Sequence, residues 1–152
     1  MFPFEVRSLN YVFAPAYPSV GDIDFRNSSI HLPDESKDVL LTNGHYEGTS
    51  EQGTETMLLK EVQYLTTPNS TGRQYVLLIL QRNLGEKQQA IAQVVEFANQ
   101  RLHLVQQIQK DSSGSHFAYK SNETSQMLVL HAPTSEMVFQ WSGRDFTRPL
   151  HE

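Results

Sequence analysis

Cysteine is missing altogether from the 152 residues, so disulfides and thiolate chemistry are excluded. Any metal site would have to be built from histidine and carboxylates. Long apolar runs are missing too. The longest, Tyr75 to Leu80, is the length of one strand and far short of the ~20 residues of a membrane helix. The first residues, MFPFEVRSLNYVF, place Glu5 and Arg7 among the apolar side chains and lack the basic start and continuous apolar core of a secretory signal. A cytoplasmic protein without membrane association is therefore expected. Basic clusters are absent as well, which argues against nucleic acid as a partner. Neither a P-loop, G-x-G-x-x-G, G-x-S-x-G nor HExxH occurs.

What is present fits a single domain over residues 1–152. The net charge of −5 is lopsided: residues 1–76 carry ten acids and five bases, residues 77–152 seven of each. An acidic half of this kind reads first as a solvated surface and second as a docking face for a basic partner.

One stretch has a clear helical period. With a step of about 100° per residue, Val94, Val95, Ala98, Leu102 and Val105 fall on the same side as Ile91, and glutamines dominate the other. No Gly or Pro lies between Glu86 and Asp111, and Gly85 and Ser112-Ser113-Gly114 flank the segment. The expectation is an amphipathic helix over about 86–110, its wide apolar face lying on a sheet. The competing reading is a hairpin, with AQVVEF and RLHLVQQIQ as strands about a turn at Ala98-Asn99-Gln100. It lacks an Asn-Gly or Asp-Gly turn, and it sets the adjacent Val94 and Val95 on opposite faces.

Elsewhere the pattern is extended. Residues 2–14 alternate as a first strand, 22–32 hold a second with a break near Asn27-Ser28-Ser29, and 38–46 end in the hairpin dipeptide Asn43-Gly44. Thr54 to Thr66 reads as strand. TPNSTG at 67–72 reads as a turn, and YVLLIL as a central strand covered on both faces. Strands near His116–Ser121, Gln126–His131 and Met137–Trp141 follow. The expected fold is α+β, an antiparallel β-sheet packed against one long amphipathic helix. The alternative, should the helix be strand, is an all-β lipocalin-like barrel or sandwich.

Chemistry-bearing residues are sparse. His45 and Glu47 share a strand face and could join His31 or His131 at a metal. Asp22 and Asp24 could act as paired carboxylates. Both are more simply read as solvated strand surface, so neither catalytic residues, metal nor cofactor is expected, and a hydrolase is the least favoured class. The sequons at Asn27, Asn69 and Asn122 read as surface turns. The leading expectation is a non-enzymatic module for protein–protein interaction, assembly or self-association, through the polar face Gln93, Gln100, His103 and Gln107. The alternative is a small apolar ligand between helix and sheet, lined by Tyr75, Leu77, Val94, Leu102, Val105 and Trp141.

Overall fold

The computed structural model describes residues 4–66 and 74–148. These residues are nearly all strand, and the expected helix is not there. Residues 86–110 instead form two long antiparallel strands, β7 (Lys87–Ala98) and β8 (Arg101–Asp111), joined by Asn99-Gln100. The α+β expectation is thus overturned and the all-β alternative fits.

The physical reasons are local. Asn99 and Gln100 both have positive φ, 53° and 65°, the backbone of a type I′ hairpin turn reached without glycine. Val94 pairs with Gln106 and Val95 with Leu104, leaving Val105 as an extra residue in β8. Such a bulge breaks the two-residue period and inserts a spacing of three. Both faces of the hairpin are also buried. Val95 belongs to one core and Val94 to the other. Apolar residues on both sides plus one phase break imitate a helical arc.

The hairpin lies in a six-stranded antiparallel sheet ordered β1-β8-β7-β6-β5-β4. The other members are β1 (Glu5–Ala16), β4 (His45–Ser50), β5 (Gly53–Leu65) and β6 (Gln74–Leu84). The expectation for YVLLIL holds: β6 is an inner strand with every residue from Tyr75 to Leu80 buried. At the turn between β6 and β7, Gly85 has φ +63°, and a β-carbon there would lie 2.3 Å from the Gln52 carbonyl oxygen. Glycine is required at that crossing.

The sheet is curled. Its inner face carries a two-stranded ribbon, β2 (Ser29–Leu32) and β3 (Lys37–Leu40), with short 3-10 turns at Val20–Asp22, Phe25–Asn27 and Pro33–Glu35. Strands far apart in the sheet both reach this ribbon. Tyr11 of β1 stacks on His31 of β2, while Lys37 of β3 meets Glu55 of β5. The ribbon continues into β4 through Asn43-Gly44, a turn with both residues at positive φ. The outer face is covered by a second antiparallel sheet of β9 (His116–Ser121), β10 (Gln126–Ala132), β11 (Ser135–Trp141) and β12 (Phe146–Thr147). Leu128, Leu130, Phe139 and Phe146 close on Leu77, Ile79, Ala92 and Ile108 with almost no exposure. The turn expected at 67–72 lies outside the described residues. Among those described, no helix is long and apolar enough to cross a membrane.

Candidate functional site, an inner-face cavity

The two faces of the curled sheet are filled differently. The outer face meets another full sheet. The inner face meets only the β2–β3 ribbon and its flanking turns, which are too narrow to fill it. A cavity of about 400 Å³ remains, open to solvent between β1 and the ribbon. Its floor is Leu78 of β6, Gln93 and Val95 of β7 and Leu102 of β8. Its walls are aromatic: Tyr11, Phe13 and Tyr17 from β1 and the loop after it, and Phe25 from the second 3-10 turn. Leu40 and Asp38 of β3 stand exposed at the rim, Leu40 being 62% accessible.

Alternation explains the floor. Leu78 sits opposite Gln93, and Val76 opposite Val95, so these side chains project to one face in adjacent strands. Phe13 is buried among the inner core while Val12 beside it points to solvent.

Polar groups are few and specifically held. The Tyr11 and His31 rings stack with centroids 3.6 Å apart and 3° between planes. The Tyr11 hydroxyl donates to Asp38 Oδ2 at 3.3 Å, and His31 Nδ1 lies 2.7 Å from Asp38 Oδ1. Burial, then the charge and hydrogen bond of Asp38, raise the Tyr11 pKa, so the phenol stays a neutral donor. Gln93, 0% exposed, donates from Nε2 to the His31 carbonyl and to Gln107 Oε1, each at 2.7 Å. Its Oε1 is buried without a hydrogen-bond partner among the described residues. A buried acceptor left in that state costs about 1–3 kcal/mol.

The other end of the inner face is polar and more nearly closed, leaving a pocket of about 130 Å³ beside Arg82, Glu35, Gln89 and Gln107. Arg82 of β6, 2% exposed, makes four hydrogen bonds. Nε donates to Glu55 at 2.8 Å, Nη1 to Glu35 and Gln89, and Nη2 to Glu35 at 2.8 Å, with Nη2 also 2.6 Å from Glu55 Oε2 as an ion pair. Lys37 adds a 2.9 Å bond to Glu55, which is itself 0% exposed. Burial works against the charged Arg82, but the bonds to Glu35 and Glu55 outweigh it and its pKa is raised. The bond from Arg82 holds the Glu35 carboxyl below its ordinary range despite partial burial. The bond to Glu55 raises Lys37 against its own desolvation. A guanidinium committed on all three nitrogens to side chains of the ribbon and the sheet makes this cluster a fastening of one to the other. Beside it runs a relay in which Gln107 donates to Gln109, and Gln109 to Asp111.

The residues expected to line a pocket are divided between the faces. Leu102 lines the cavity. Tyr75, Leu77, Val94, Val105 and Trp141 belong to the outer core. There Tyr75 donates to Glu96 Oε2 at 2.8 Å and Trp141 Nε1 to the Thr66 carbonyl at 2.9 Å. The glutamine face expected on a helix does not exist as one surface. Gln93 and Gln107 are buried on the inner face, Gln100 is exposed in the hairpin turn, and His103 is half-buried with its Nε2 unpartnered among the described residues.

His45, Glu47, Asp22 and Asp24 are exposed. Asp24 caps the second 3-10 turn through Arg26 N and Asn27 Nδ2, and Asp22 accepts from Ser19. His31 is committed to Asp38, and His131 to Glu136 and to stacking on His116. Among the described residues no group of three or more His, Asp or Glu side chains could hold a metal.

Sequence reasoning missed the cavity walls and Asp38. Tyr11 and Phe13 alternate visibly in the first strand, but nothing local says that β2–β3 folds back over them. Arg82, a base closing an all-apolar strand, was the one available signal for the closed end.

No protein-family model, no curated protein and no solved structure matches this chain.

Proposed function

We propose that the protein binds a small, largely apolar molecule in the inner-face cavity. The single observation behind this reading is the cavity itself, about 400 Å³ and walled by aromatic side chains. Ligand sites are commonly about 300–1,000 Å³, mostly apolar, with a few placed polar groups. Here those groups are Asp38, Tyr11, Asn27, Ser28 and Ser29, with Gln93 buried beneath them.

Assembly by strand pairing draws less support. Among the described strands, β1 and the six-residue β4 end the large sheet, and β1, the longer, exposes Val6 and Val12. Yet the register of β1 shifts between Ser8 and Tyr11 and again between Val12 and Ala16. Irregular edges of this kind resist pairing with another strand.

The test is titration with the neutral fluorophore N-phenylnaphthylamine, which brightens in apolar surroundings. The expected result is saturable, one-site enhancement that Leu40→Trp abolishes by plugging the mouth. Because Leu40 is exposed, the fold tolerates that change. Enhancement that never saturates, or that Leu40→Trp leaves intact, would overturn the reading.

A further inference from the structure

We infer that the cavity takes an organic amine, a protonated nitrogen on an apolar body, in preference to a carboxylic acid of the same size. This deepens the reading above and rests on it.

Two observations converge. The lining holds one carboxylate, Asp38, and neither lysine nor arginine. The rings of Tyr11, Phe13, Tyr17 and Phe25 line the space, one face of Tyr11 being covered by His31, and aromatic rings attract cations within about 6 Å, more strongly where water is excluded.

Asp38 is the specificity-determining residue in this arrangement. Tyr11 and His31 hold its carboxylate in place at the rim. An anionic head group there would face it at close range, and opposite or like charge at ~4 Å near a surface is enough to change affinity at least tenfold.

The experiment is calorimetric titration of the full chain at neutral pH with three chain-matched probes: decylamine, decanol and decanoate. Decylamine should bind at least ~tenfold more tightly than decanoate, with decanol between them. Asp38→Asn keeps the shape and removes the charge. It should shrink the amine-to-acid ratio to about threefold or less, and an unchanged circular dichroism spectrum and thermal transition report that the variant is folded. Decanoate binding as tightly as decylamine, or an amine-to-acid ratio unmoved by Asp38→Asn, would overturn the inference and leave apolar binding standing. Failure of all three probes would overturn both.

Discussion

The two ends of the inner face are covered by opposite means. At one end a buried arginine is held by two carboxylates and a glutamine, and the ribbon is fastened by charge. At the other, aromatic and aliphatic side chains approach each other without filling the space, and a cavity stays open. The same two-stranded ribbon covers both. A hydrogen-bonded ionic cluster is directional and holds its partners in place, whereas a loosely covered apolar wall costs little to open and can exchange water for a guest. One end therefore anchors the ribbon so that the other can remain accessible.

The comparison can be broken most forcefully at Arg82. Arg82→Met leaves Glu55 buried at 0% exposure with only Lys37 to offset its charge. Removing one partner of a buried ion pair costs about 3–5 kcal/mol. Leu40→Ala at the open end removes a side chain already facing solvent and should cost about 0.5 kcal/mol or less. Urea denaturation of the two variants measures the difference. A loss below ~1 kcal/mol at Arg82 would mean that the ribbon is held by packing alone.

A gentler probe of the closed end is pH. Arg82 lowers the folded-state pKa of Glu35, so the unfolded chain binds its proton at higher pH than the folded one. The contribution of Glu35 is then fully present above its ordinary pKa and is lost as pH falls through the lowered value. The stability difference between the wild type and Glu35→Gln should be constant near neutrality and vanish in acid. Lys37 has the opposite sense: its pKa is raised, so its contribution is present below its ordinary value and fades as pH rises past the raised one. Because the Glu35 side chain is 38% accessible, the effect is smaller than that of Arg82→Met. A difference that grows on acidification would contradict the ion-pair account.

How much of this was legible beforehand divides along the same lines. Elements whose sides differ announced themselves. Met137 to Trp141 lies within β11, His116 to Ser121 is β9, and Asn43-Gly44 makes its turn. The apolar run Tyr75 to Leu80 correctly implied cover on both faces. The β7–β8 hairpin failed for that very reason. Strands buried on both faces have no alternation to read, and the bulge at Val105 supplied a helical spacing in its place. The cavity was beyond local reasoning. Its floor and walls come from β1, β6, β7, β8 and the ribbon, and only the curl of the sheet brings them together. Gln93 shows the limit well: it was read as an exposed polar face and is the buried acceptor on the cavity floor.

The smallest expected effect lies in the hairpin turn, and it serves as the neutral control for the contrast between the two ends. Gln100 sits at φ 65°, a conformation that costs L-residues with a β-carbon and that glycine adopts freely. Its carbonyl accepts from Tyr17 N at 2.8 Å, a backbone contact that a substitution keeps. Gln100→Gly creates the Asn-Gly pair favoured in two-residue hairpins. Relief of the strained backbone outweighs the entropy glycine adds to the unfolded chain, for a net gain of about 0.5 kcal/mol. The turn does not touch Arg82, and it meets the cavity wall only through the backbone bond to Tyr17, which the substitution keeps, so the gain in Tm should come with ligand affinity and the pH profile unchanged. A loss of stability would mean that the Gln100 side chain makes a contact worth more than the strain of its backbone.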